Sequence, residues 1–284
     1  MVACIAVYSP AVVAFSTGGY VAPQITRMGD LTVAVERPAS PTSKPPVLLV
    51  HGMFGGAWYW EAYQALLAKH GYESHAVNLR GHHGSRPVPD IGKVSIREYI
   101  ADVLQVARSL RNPIVIGHSM GGLLAQKVAE SGACKAAVLM ASAPPRWIPV
   151  VSWLLLRKQV KYARALFKFE PLLPDREDAD VLMFNRTPIA DRDKFYSRLV
   201  PESGRAGFEL SVGTIAVHEW RVTCAMLVVT GRDDQFVVPR VARALARKYN
   251  APLKQYDSFA HHIMSEPGWE GPAADILEWM GKQT

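Results

Sequence analysis

Short runs of Val, Ile, Leu and Ala, separated by amphipathic stretches of helical length, constrain this chain more than any other feature. "VLLV" (47–50), "PIVIG" (113–117), "AAVLMAS" (136–142) and "AMLVVTG" (225–231) are apolar almost throughout and lack the polar alternation of a half-exposed strand. Strands of this kind are covered on both faces. The cover is written between them. "WEAYQALLAKHG" predicts a helix ending at Gly71, and "SIREYIADVLQVARSL" (95–110) predicts one opened by a Ser95/Glu98 capping box, with Ile96, Tyr99, Ile100, Val103, Leu104, Ala107 and Leu110 along one face. "GGLLAQKVAESG", a stretch opened by Pro239 and running to about Tyr249, and residues 272–280 predict further helices. "LTVAVERP" (31–38), "ESHAVNL" (73–79) and "LKQYDS" complete the strands. The alternation defines an α/β fold with a doubly wound, mostly parallel sheet.

The alternation breaks between residues 144 and 221. That interval carries mostly helical signals, such as "VSWLLLRKQVKYARALFKF". It is expected to be a helical cap inserted over the carboxyl edge of the sheet, where open α/β sheets bind ligands. The core is then 1–143 and 222–284, with 1–19 as an N-terminal extension. Residues 1–15 are apolar but lack a basic leading segment and are interrupted by Ser9-Pro10, so they predict neither export nor a membrane span, and the expected compartment is the cytoplasm.

A net charge of +7 comes from dispersed basic residues with no nucleic-acid motif, so a solvated basic face is expected and nucleic-acid binding is not. Membrane contact is not expected either. Cys4, Cys134 and Cys224 lie far apart in sequence and match no metal spacing, which predicts idle thiols and no metal. No cofactor is expected.

Four strand ends carry chemistry. Gly117-His118-Ser119-Met120-Gly121 fits G-x-S-x-G directly between a strand and a helix, the context in which a serine nucleophile is held on a sharp turn. Side chains at either glycine would collide with the neighbouring chain. "HGMFGG" (51–56) ends another strand, and its Met53 N–H, with Phe54 as the alternative, would join the Met120 N–H in an oxyanion hole. His51 is expected to be a structural hydrogen-bonder. Two aspartates in "VTGRDDQFVVP" and two histidines in "DSFAHHIMSEPGW" supply a carboxylate and a base in the chain order Ser, Asp, His.

With these segments in hand, the chain from about residue 20 to 282 resembles the α/β-hydrolase superfamily. "HGMFGGAWYW", "LRGHHGS", "GHSMGG", "GRDDQFVVP" and "AHHIMSEPGW" are similar to its successive signatures, in their usual order. The resemblance implies Asp234 as the triad acid, with Asp233 a solvated neighbour. It implies His261 as the base, five residues before Glu266, with His262 as the alternative. One departure is His83, which stands where the family pattern R-G-H-G-x-S has its second glycine; a solvated side chain is expected there.

The implied reaction is acyl transfer to water through Ser119, on carboxylic esters of small or medium apolar substrates. Phe54, Trp147 and Trp153 are the expected substrate contacts, although aromatic residues at helical spacing also serve as plain cap core. The partner is a small ester or related carbonyl compound, and the protein is a monomer or homodimer. The same parts serve thioesterases, amidases, lactonases, C–C bond hydrolases, lyases and cofactor-free dioxygenases, and a ligand receptor on this scaffold is the alternative outside enzymology.

Overall fold

The computed structural model describes residues 23–149 and 153–283. The apolar N-terminal stretch, Cys4 and the 1–19 extension lie outside the described residues. The core elements run β1 (Gln24–Met28), β2 (Leu31–Glu36), β3 (Val47–Val50), α1 (Glu61–Lys69), β4 (Ser74–Val77), α2 (Ile96–Ser109), β5 (Ile114–His118), α3 (Met120–Glu130) and β6 (Ala136–Met140). Next come α4 (Trp153–Lys168), β7 (Pro171–Leu172), α5 (Arg176–Leu182), α6 (Ile189–Tyr196), β8 (Glu202–Ser203) and α7 (Gly204–Ser211). The core resumes with β9 (Ala225–Gly231), α8 (Pro239–Tyr249), β10 (Leu253–Tyr256) and α9 (Glu270–Gly281).

Eight strands form one sheet in the order β1-β2-β4-β3-β5-β6-β9-β10. From β4 to β10 every pairing is parallel, and the β1–β2 hairpin joins the edge antiparallel to β4. The apolar runs take the central places, and Val47, Leu48, Leu49 and Val50 are wholly buried. β1 had no counterpart in the sequence reading, because "QITRM" is a mostly exposed edge strand with no apolar run to mark it.

The chain leaves β3 toward β4 on one side and returns past it to β5 and β6 on the other. Right-handed crossovers running in opposite directions put α1 on one face and α2 with α3 on the other. Tyr63 of α1 accordingly meets Trp269, next to α9, at 5.4 Å between ring centres. The reversal beside β3 sends the chain after β3 and after β5 to opposite faces of the sheet.

Two cysteines distant in sequence meet at the opposite end of the sheet. β6 and β9 are neighbours with Ala136 opposite Ala225, which brings the Sγ atoms of Cys134 and Cys224 to 3.8 Å. Among the described residues, the regular elements between β6 and β9 are helices apart from β7 and β8, a two-residue antiparallel pair that no strand pattern announced. Three of its attachments fall on loops that follow parallel strands. Val200 bonds the Phe54 carbonyl after β3, Ser203 Oγ bonds the Gly92 and Val94 carbonyls between β4 and α2, and Arg186 pairs with Asp233 after β9.

The α2 capping box forms as written: Ser95 Oγ accepts from the Glu98 N–H at 3.3 Å, and Glu98 Oε2 accepts from the Ser95 N–H at 2.9 Å. Ser95→Ala should lower the unfolding free energy by about 1 kcal/mol in urea titrations. An unchanged midpoint would show that tertiary packing alone holds this helix start.

Candidate active site

Ser119 connects β5 to α3 with φ 54° and ψ −120°, a left-handed conformation that a side-chain-bearing residue adopts only under constraint. The constraint is visible on both sides. The Ser119 N–H donates to the Met140 carbonyl at 3.0 Å, and its carbonyl accepts from Gly122 and Ala143, each at 2.9 Å. A Cβ on Gly117 would stand 2.2 Å from the Gly121 carbonyl oxygen, and one on Gly121 would stand 2.3 Å from that of Val50. Both positions therefore exclude any larger residue.

The loop after β3 lies directly on this turn, since a Cβ on Gly52 would be 2.8 Å from Ser119 Cβ. His51 orders the loop's base: Nδ1 donates to the Gly52 carbonyl at 2.7 Å, and Nε2 accepts from the Leu79 N–H at 3.2 Å. Burial pushes its pKa down to about 3, so it stays neutral. The Phe54 N–H is taken by Glu202 Oε2 at 3.4 Å, whereas the Met53 N–H meets no acceptor among the described residues. Met120 opens α3, and the first N–H groups of a helix have no intrahelical acceptor.

Asp234 and His261 come together from separate loops. Asp234 Oδ1 accepts from the N–H groups of Phe236 and Val237 at 2.9 and 2.8 Å, which aims Oδ2 at His261 Nδ1, 2.9 Å away. Both side chains are buried, and the Phe236 ring packs edge-on against the imidazole. His262 points elsewhere, into Tyr59 and Phe184, where burial lowers its pKa to about 3. Asp233 is half-exposed and holds Arg186 at 2.6 Å. His118 is buried with its Nε2 donating to the His261 carbonyl at 2.9 Å, and burial keeps its ring neutral. It ties the elbow to the histidine loop.

Three features went unrecognised in sequence. Glu266 served only as a spacing marker for His261, yet its two oxygens accept from the N–H groups of Ala260 and His262 at 2.6 and 3.1 Å, bracketing that residue. Its burial raises the pKa to about 7. Glu202 arrives from the insertion, and nothing local distinguished it. His83 is not solvated: it is half-buried and accepts the Trp58 indole N–H at 3.2 Å, because that buried donor needs an acceptor. Of the expected substrate contacts, Phe54 is buried beside the elbow loop. Trp147 is 84% exposed under the Arg146 guanidinium instead of turned inward, and the Trp153 side chain lies outside the described residues.

The sheet order, the serine turn and the Asp234–His261 pair are those of a hydrolase built on an open α/β sheet. Residues 47–268 match the alpha/beta hydrolase family, and the chain belongs to it. A non-heme chloroperoxidase of Streptomyces lividans is 28% identical over 263 residues, covering 78% of this chain and 86% of that protein. The Paleococcus ferrophilus monoacylglycerol lipase superposes with a TM-score of 0.72 at 21% identity, over 90% of this chain and all of that one. A soluble variant of the Saccharomyces cerevisiae monoglyceride lipase gives 0.75 at 16% identity, over 97% and 99%. At these identities the solved structures speak for the fold. No helix among the described residues is long and apolar enough to cross a membrane.

Glu266 makes stability depend on pH. A carboxyl whose folded pKa is raised contributes fully below its ordinary value of 4.5 and loses that contribution as pH rises through about 7. The advantage of wild type over Glu266→Gln in urea unfolding should therefore shrink between those values. An advantage that grows with pH would contradict the assignment.

Proposed function

We propose that the protein is a serine hydrolase that cleaves carboxylic esters of small or medium apolar substrates through an acyl-enzyme on Ser119. The observation that carries this reading is the 2.9 Å bond from His261 Nδ1 to Asp234 Oδ2, buried beside the strained Ser119 turn. That bond commits the Nδ1 proton to Asp234 and leaves Nε2 basic toward the serine hydroxyl. Ser119 Oγ attacks the ester carbonyl as Nε2 takes its proton, and Asp234 stabilises the imidazolium that results. The Met53 and Met120 N–H groups receive the oxyanion. The imidazolium then protonates the departing alcohol. Water, deprotonated by the same nitrogen, releases the acid and restores the serine. No step requires a metal or cofactor.

In this reading residues 144–221 form the cap, and Phe54 with the apolar side of the insertion shapes the acyl site. Supporting it are the insertion's attachments to the loops after β3, β4 and β9. A second reading follows from the chloroperoxidase similarity. Hydrogen peroxide can replace water at the acyl-enzyme, giving a peracid and free serine, and the peracid then oxidises chloride to hypochlorite as it returns to the acid. Halogenation that requires peroxide and a carboxylic acid would mark that use of the site.

Purified protein should turn over short p-nitrophenyl esters, and Ser119→Ala should lower kcat by about 10⁴-fold or more. Asp234→Asn should lower it by about 10⁴-fold, because the imidazole loses its required tautomer. A folded wild type inert toward activated esters would overturn the ester reading, and a Ser119→Ala variant that retains turnover would overturn the nucleophile.

A further inference from the structure

A buried polar cluster that the proposed reaction leaves unused joins the insertion to the loop after β3. Glu202, in β8, is wholly buried. Its Oε1 accepts from the Tyr99 hydroxyl at 2.5 Å and from the Ser203 N–H at 2.7 Å. Its Oε2 lies 3.2 Å from His82 Nε2 and accepts the Phe54 N–H at 3.4 Å. His82 is equally buried, and its Nδ1 sits 2.9 Å from the Arg80 carbonyl oxygen. Nδ1 faces a carbonyl that can only accept, and against the cost of burial the Glu202 carboxylate raises the His82 pKa while His82 lowers that of Glu202, so the ring is an imidazolium paired with the carboxylate. The Val200 N–H meanwhile donates to the Phe54 carbonyl at 3.0 Å. Residues 200–202 therefore hold Phe54 through both its backbone groups.

We propose that Glu202 is a positioning residue for ester hydrolysis: by gripping the Phe54 N–H it sets the orientation of the adjoining Met53 N–H toward the oxyanion. The inference rests on the reading of Met53 as an oxyanion donor. Phe54 has φ 65°, a conformation that a residue with a Cβ leaves unless held. The loop is anchored at one end by Gly52 against Ser119 and at the other by the Glu202 bond, and Met53 lies between. The bond also decides which amide serves. With the Phe54 N–H turned to the carboxylate, Met53 is the one left to face the substrate. A completed oxyanion site then requires the insertion to be seated, because the carboxylate that orients it belongs to the insertion.

Glu202→Gln tests this. The amide oxygen still accepts from Tyr99 and Ser203, while the amide nitrogen confronts the Phe54 N–H with a donor. Per folded site, counted by fluorophosphonate titration of Ser119, kcat on a short p-nitrophenyl ester should fall about tenfold with KM held within about twofold. The inhibition constant of a trifluoromethyl ketone, whose adduct places a negative oxygen in the same site, should rise by the factor that kcat/KM falls. Unchanged kcat per titrated site, or a change in KM alone, would overturn the proposal. If the variant gives no folded sites, His82→Gln keeps a donor on the carboxylate without the charge and should show the same split at about threefold. A wild type that neither hydrolyses esters nor takes the label would remove the parent reading, an outcome distinct from an active wild type matched by its variants.

Discussion

The backbone of Ser119 is where the molecule's packing and its chemistry meet. A left-handed residue between a central strand and a helix is tolerated because Met140, Gly122 and Ala143 bond both its backbone groups, and because Gly117 and Gly121 remove the side chains that would block the approach. The strain of order 1–3 kcal/mol is borne by the buried sheet around it. Gly52 packs against the same residue, so one turn also locates the loop that bears Met53. A shift at the elbow would displace Ser119 and the Met53 loop together.

Around that turn, buried ionisable groups are tolerated by pairing or by neutrality. Asp234 is satisfied by two backbone N–H groups and His261, and Glu202 by four donors that include the His82 imidazolium. His51, His118 and His262 have no carboxylate partner, and burial holds each neutral. Of these five histidines, only His261 has a carboxylate on Nδ1. Glu266, bonded to the amides on either side of His261, keeps that loop in place.

The insertion is fastened to the loops of the sheet. Its bonds reach the loops after β3, β4 and β9, each of which also carries a part of the site or its support. An insertion joined this way can vary in sequence while the sheet beneath it keeps its loops in place.

How much was legible in the sequence follows from the range of each interaction. The buried strands, the Ser95 cap on α2 and the Pro239 start of α8 are local, because each depends on residues within one turn or one strand, and the glycines about Ser119 show in their spacing although Gly121 answers to Val50 on a neighbouring strand. They could be read from composition, periodicity and spacing. The edge strand β1 escaped because solvent on its exposed side leaves no apolar pattern. The sheet order decided what no spacing could. It brought Cys134 to Cys224, turned His83 onto Trp58, and carried Glu202 from the insertion onto Phe54. Each of these depends on where two loops distant in sequence come to rest, which the long-range packing of the sheet and its insertion determines.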